Sequence, residues 1–203
     1  MPLFIKKDIS PDVCLGIWKI DESFEDFFSL FPFLNKFRGD IITSYKSNQR
    51  RCEILAVRLL IREIIGDNVS LLHKDNGRPI LSNGVNIGIS HTRGFAVIMV
   101  SPSKKVSVDI EYIDSRVVRI KDKFMRSDEQ ANSLLDYLIH WCTKETLYKL
   151  FSDDRLSYSE MQLLSIHGNN LEGIITARNI IRKQDVEVHY SIFNDMLLTY
   201  SVL

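Results

Sequence analysis

Apolar positions along the chain recur with two periods, and the change from one to the other organises the sequence. Between about Lys46 and Ile65, Cys52, Leu55, Ala56, Leu59 and Leu60 return at spacings of three and four. That spacing predicts a long amphipathic helix, with Gly66 just past its end as a stop. Arg51, Arg58 and Arg62 fall on another face of the same helix. Upstream, Val13 to Ile20 reads as an opening strand, and Phe24 to Phe33 as a short aromatic-rich helix stopped near Pro32.

From Asn86 the period is two. NIGIS (Asn86 to Ser90) and FAVIMV (Phe95 to Val100) flank His91-Thr92-Arg93-Gly94 and predict a hairpin. VSVDIE (Val106 to Glu111) is a third strand. Ser127 and Gln130 have the form of a capping box opening helical stretches that run to about Phe151. Strands and turns alternate from Met161 to Leu203. The segment from Val85 to Val100 lines up without gaps on the segment starting at Val186, an offset of 101 residues and half the chain. Either two hairpins resemble each other by chance, or the fold is duplicated. No low-complexity linker separates the halves, so they are expected to pack together.

Composition narrows the function class. The 203 residues carry 26 Lys plus Arg against 26 Asp plus Glu, and 45% are hydrophobic. This excludes a globally basic nucleic-acid binder and an acidic disordered chain. Electrostatic work falls to local patches. Between Lys36 and Arg62, seven basic residues face only Asp40 and Glu53, and a second basic run spans Arg116 to Arg126, suited to an acidic partner. Cys14, Cys52 and Cys142 form no CxxC pair, so neither a zinc knuckle nor a disulfide framework is expected. No 18 apolar residues run together and the first twenty residues lack a continuous apolar core. The expected setting is a reduced, cytoplasmic one without a membrane.

Three carboxylates stand out. Period-two geometry puts Asp109 and Glu111 on one strand face with Ser107, while Val106, Val108 and Ile110 point into a core. Two readings are open: a solvated outer face, or half of a hard-cation site. In the helix LIHWCTKETLYKL, Glu145 shares the stripe Leu138, Trp141, Cys142, Tyr148 that is expected to face a core. A buried carboxylate needs a partner, either Lys144 or Lys149 in an ion pair, or a metal shared with Asp109 and Glu111. His91 ends a strand at a tight turn. Lys74 and Arg78 sit in KDNGRP, where turn chemistry explains Gly77 and Pro79 but not the basic residues, which suit phosphate. GxGxxG, GxxxxGKS, GxSxG and HExxH motifs are all absent.

Together, GRP (Gly77 to Pro79), NIGISHT (Asn86 to Thr92), VSVDIE (Val106 to Glu111), WCTKETLYK (Trp141 to Lys149) and RRCEILAVR (Arg50 to Arg58) resemble the 4′-phosphopantetheinyl transferase superfamily. The match covers roughly residues 50 to 150, and the order DxE then W-x-x-K-E-x-x-x-K is its most specific part. Length and hairpin echo place the resemblance with the two-half, surfactin-synthetase-activating kind rather than the half-size trimeric kind. It departs at Ser107, where the family usually has Gly, and at FSDDRLSYSEM (Phe151 to Met161), where the family has a basic, glycine-containing segment.

The resemblance implies an α+β pseudo-two-fold fold of two similar halves, each an antiparallel sheet on a long helix. Residues 1–102 would form the coenzyme A 3′-phosphate and adenosine side, and 103–203 the metal and carrier-docking side, in one monomer. It implies Mg²⁺-dependent transfer of 4′-phosphopantetheine from coenzyme A to a serine of an acyl or peptidyl carrier protein, releasing adenosine 3′,5′-bisphosphate. Asp109, Glu111 and Glu145 would hold the metal; Glu145, or a water on it, would act as base, with Lys149 beside it as a catalytic residue. Lys144 and Lys149 would contact phosphate oxygens. His91, with Ser90 and Thr92, and Arg50 or Arg51 would hold the 3′-phosphate and its neighbours, and Arg78 and Lys74 the adenosine end. The competing readings are a coenzyme A pyrophosphate hydrolase and a non-catalytic module binding coenzyme A or a carrier.

Overall fold

The computed structural model describes residues 3–203, with side chains from Ile5 onward. Chain order in the first half is β1 (Leu3–Ser10), β2 (Val13–Lys19), α1 (Phe24–Leu30), a 3₁₀ segment (Pro32–Phe37), α2 (Arg38–Ser44) and α3 (Asn48–Ile64). The short strands β3 (Leu71–His73) and β4 (Pro79–Leu81) follow, then the hairpin β5 (Asn86–Thr92) and β6 (Phe95–Ser101). The second half runs β7 (Val106–Tyr112), α4 (Arg116–Arg119), α5 (Lys121–Phe124), α6 (Leu134–Leu150), then β8 (Met161–Gly168), β9 (Glu172–Asn179), β10 (Gln184–Phe193) and β11 (Met196–Val202).

The architecture is α+β with antiparallel sheets. One sheet has the order β1-β2-β6-β5, the other β7-β11-β10-β9-β8. The order β2-β6-β5 therefore recurs as β7-β11-β10, in each half a strand, a 17-residue helix and a hairpin. The offset of 101 residues falls on these two hairpins. Their tips are Arg93-Gly94 and Asn194-Asp195, where Gly94, Asn194 and Asp195 take positive φ as tight hairpin turns require. α3 packs on β2 and β6, and α6 on β7 and β11.

Three apolar cores follow from this. One lies under α3, with Leu55, Ala56, Leu59 and Leu60 against Trp18, Ala96 and Ile98. One lies under α6. The third is the seam between the halves, where Val13, Leu15 and Ile17 meet Val108, Ile110 and Leu198. At this seam β5 approaches β7 so closely that a Cβ on Gly88 would stand 2.9 Å from the Ser107 Cα. Glycine is what allows the two halves to close there.

Several sequence expectations change. Ser127 does not cap a helix; α6 starts six residues later, with Ser133 accepting from the Asp136 amide and Asp136 reaching back. The face of β7 with Ser107 and Asp109 is not solvated, because α6 covers it: Ser107 is fully buried and Asp109 4% exposed. The stripe read on α6 is rotated. Leu138 and Cys142 are buried as expected, but Tyr148 is 45% exposed, and Thr143, Lys144 and Thr146 are buried in its place. Thr146 and Thr199 bond through their hydroxyls at 2.7 Å, which lets α6 seat polar residues on the sheet. Among the described residues no helix is long and apolar enough to cross a membrane.

Candidate active site

Asp109 sits on β7 where α6 crosses it. Its Oδ1 accepts from Ser90 Oγ at 2.8 Å and from Lys149 Nζ at 2.7 Å; Lys149 also donates to the Val108 carbonyl at 3.1 Å. Its Oδ2 is buried and has no partner. Two residues on, Glu111 is half-buried, and burial, then the Asp109 charge, pushes its carboxyl up to about 7. Glu145 reaches in from α6. Burial raises its pKa too, opposed by the Tyr158 hydroxyl, which donates to Oε1 at 2.6 Å. Each glutamate feels Asp109, and Glu111 feels Glu145. Three carboxylates crowd one place, with Lys149 bonded to Asp109 and the Arg116 charge also acting on Glu111.

These donors fit a hard divalent cation. All are oxygens, one is buried and unpaired, and their mutual repulsion is what a cation relieves. They are not a closed cage: among the described residues no three carboxylate, imidazole or thiol groups stand in a ready-made ligating arrangement. Lys149 occupies one side of Asp109, and Tyr158 occupies Glu145. That suits Mg²⁺ better than an all-protein cage does, since Mg²⁺ is usually held by one or two carboxylates together with substrate phosphates and water.

His91 is the penultimate residue of β5 and is clamped by α3. Its Nδ1 lies 3.2 Å from Glu53 Oε2, and its Nε2 meets Arg50 Nη1. Glu53 is buried and also accepts from Gln49 at 2.9 Å and Arg50 at 3.1 Å. Burial, then the Arg50 charge, holds the His91 imidazole below the usual histidine range. A cavity of about 400 Å³ opens between the halves, walled by Arg50 and Arg58 of α3, Arg78, His91, Lys105 and Lys149. A second, open groove also lined by His91 carries Thr92, Glu111 and Arg116. His91 lines both spaces; of the cluster, Lys149 lines the cavity and Glu111 the groove.

The structure thus brings together Asp109, Glu111, Glu145, Lys149, Ser90, His91, Arg50, Thr92 and Arg78. Ser90 takes a different part from the expected one: its hydroxyl is spent on Asp109 and on the Ile110 amide at 3.3 Å. Lys144 is a correction. It is fully buried, bonded to Glu129 Oε2 and the Phe124 carbonyl, each at 2.6 Å, and turned away from phosphate. Adjacent helical residues point about 100° apart, so Lys144 and Glu145 leave α6 in different directions, Lys144 toward Glu129 and Glu145 toward Tyr158. Arg51 is another: its guanidinium bonds the Tyr45 and Ile42 carbonyls at the end of α2. Lys74 is exposed in the turn before β4 and does not line the cavity. Arg78 does line it, with its guanidinium on Asp153 at 3.3 Å.

The acidic departure in FSDDRLSYSEM is accounted for as well. Asp153 takes Arg78 and Asn76 of the first half, and Asp154 takes Arg182 and Asn179. Neither faces the carboxylate cluster. Sequence reasoning missed four residues here: Glu53, Lys105, Tyr158 and, as a cavity residue, Arg58. Arg58 was visible as a member of the basic run and as the end of RRCEILAVR, without a role; nothing in the spacing marked Tyr158. No family model matches this sequence, and no curated protein matches it.

Proposed function

We propose that this chain transfers the 4′-phosphopantetheine group of coenzyme A to a serine hydroxyl of an acyl or peptidyl carrier protein. Adenosine 3′,5′-bisphosphate is the other product and Mg²⁺ the cofactor. The observation that carries the reading is the cluster Asp109, Glu111, Glu145 and Lys149, of which Lys149 lines a basic cavity and Glu111 an open groove. The cavity suits a phosphate-rich nucleotide, and the groove leaves room for a second macromolecule to present its serine. The strand order repeated in both halves supports a pseudo-two-fold fold of the two-half transferase kind, with the site in the cleft.

Asp109 Oδ2, with Glu111 and Glu145, would hold the cation. When bound, Mg²⁺ supplies charge neutralisation on the pyrophosphate and on the phosphate that leaves. Lys149 holds its ammonium group against Asp109 at the cavity wall, within reach of the same phosphates. Burial moves Glu145 toward the basicity a proton acceptor needs, and Tyr158 fixes one of its oxygens. The serine oxygen bonds to the phosphorus of the pantetheine phosphate, the bridging P–O bond breaks, and the serine proton passes to Glu145. His91, held between Glu53 and Arg50, orders that end of the cavity, and Arg50 supplies positive charge there.

The test is product release. With coenzyme A, Mg²⁺ and an apo carrier, adenosine 3′,5′-bisphosphate should form one for one with modified carrier. Free phosphopantetheine formed without carrier would instead show a hydrolase, and binding of coenzyme A that is unchanged by EDTA and never turns over would show a binding module.

A further inference from the structure

The two halves close on one side only. β5 meets β7 because Gly88 has no side chain to hold Ser107 away. The offset of 101 residues carries β5 onto β10, and it holds in the strand register: Gly88 pairs with Met99, and His189 with Tyr200. Where β5 has Gly88, β10 therefore has His189, whose ring stacks on Tyr200 with centroids 5.0 Å and planes 11° apart. The strand that corresponds to β7 is β2, and β10 does not close on β2 as β5 closes on β7. A slot of about 610 Å³ stays open there between the two sheets.

This slot is the unfinished margin of the seam core. Ile5, Ile9, Phe193 and Tyr200 line it and are only partly covered, beside the fully packed Leu15 and Leu198. Its size is that of a small-molecule site, and both walls are largely apolar. It shares no lining residue with the cavity or the groove of the candidate active site.

One residue breaks the apolar pattern. On β1, Lys7 falls between Ile5 and Ile9 on the face that lines the slot, level with Leu15 of β2. Its neighbour Lys6 belongs to the opposite face. Among the described residues no carboxylate lies within ion-pair distance of Lys7. Glu172, the acid that also lines the slot, is exposed at the start of β9 and does not pair with it. A lysine facing inward on an edge strand also discourages pairing with another chain, but that role needs no slot behind it. Here an ammonium group without a counter-charge stands over an apolar slot. Its complement is a ligand with a carboxylate at one end and a hydrocarbon chain at the other.

We propose that the slot between the sheets is a binding site for a fatty acid, its carboxylate on Lys7 and its chain between the faces of β2 and β10. The site is separate from the transfer reading and does not depend on it.

The experiment is calorimetry on the full chain with decanoate and with decanol, each kept below the concentration at which it aggregates. The wild-type protein should bind one decanoate per chain and prefer it to decanol. Lys7→Gln should lose about fivefold in decanoate affinity and keep its affinity for decanol. Lys6→Gln removes the same charge from the opposite face and should change neither. Ser191→Phe, which fills the slot beside Leu198, should abolish binding of both ligands; if that variant fails to fold, the two lysine variants decide. A wild-type protein that binds neither ligand, binds both alike or takes up several decanoates overturns the proposal. So does equal weakening by the two lysine variants, a folded Ser191→Phe protein that still binds, or a Lys7→Gln protein that binds as the wild type does and merely self-associates.

Discussion

Two lysines five residues apart on α6 each meet a buried carboxylate, and they end in opposite states. Lys144 and Glu129 form a closed pair. The ammonium bonds Glu129 and the Phe124 carbonyl, with the Tyr158 carbonyl at 3.5 Å, while Glu129 also accepts from the Arg126 and Leu163 amides. Both side chains are almost wholly buried, and together they tie α5, the segment before α6 and β8 to the helix. Lys149 and Asp109 form an open pair. Asp109 keeps one oxygen unspent, Lys149 stays 29% exposed at a cavity wall, and two further carboxylates stand close by at raised pKa. A buried pair with every hydrogen-bonding position used holds structure together. One with a position left over beside a cavity is poised to take something else.

The largest expected effect breaks the open side. Glu145→Gln should lower kcat for carrier modification by about 10²- to 10⁴-fold, as loss of a general base does. Its unfolding midpoint in urea should hold or rise, since one of three repelling carboxylates is gone. The closed side should answer the other way round. Glu129→Gln strands Lys144 in the interior and should destabilise the protein by about 3–5 kcal/mol, read from urea unfolding, with turnover per folded molecule largely kept. Combining it with Lys144→Met should recover much of that loss, because the stranded charge goes with it.

A smaller effect is written in pH. Glu111 titrates near 7 in the folded protein and at an ordinary carboxylate value when unfolded. Between those values the folded state holds a proton the unfolded state has released, so without metal this group's contribution to stability falls as pH rises through the window. A metal ligand must be deprotonated, so the stabilisation given by Mg²⁺ should grow as pH passes 7. Thermal melts with and without Mg²⁺ at pH 6 and pH 8 check the sign; Glu111→Gln should flatten the difference. The smallest effect belongs to the latch between halves. Asp153→Ala removes the mostly exposed partner of Arg78 and should cost about 0–1 kcal/mol by the same urea measurement.

Much of the site was legible because its residues are local to strongly periodic elements. Asp109 and Glu111 share a strand face, and Glu145 and Lys149 lie four apart on one helix. α3 and the β5–β6 hairpin also carried clear periods. What stayed hidden depended on contacts distant in sequence. Lys144 reads as an ion-pair partner for Glu145 or a phosphate contact until Glu129 is found, fifteen residues earlier. The same pairing explains the misplaced helix start: Ser127 has the form of a capping residue, but Glu129, two residues on, is drawn inward by Lys144 and by the Arg126 and Leu163 amides. The chain therefore turns before Ser133 can open α6. Tyr158 was invisible for a similar reason, since its phenol meets Glu145 only after the loop folds back over Trp141. β1, eight residues long but without clean alternation, and the three-residue β3 and β4 could not be read.

The central claim is that the open cluster on α6 and β7 drives transfer to a carrier. Its most direct measurement is the intact mass of apo carriers from fatty-acid, polyketide and nonribosomal-peptide systems after incubation with coenzyme A, Mg²⁺ and the wild-type or Glu145→Gln protein. The account predicts a gain of one phosphopantetheine arm on at least one carrier with the wild type, absent without Mg²⁺ and nearly absent with the variant. No mass gain on any carrier, or an equal gain with both proteins, would contradict it.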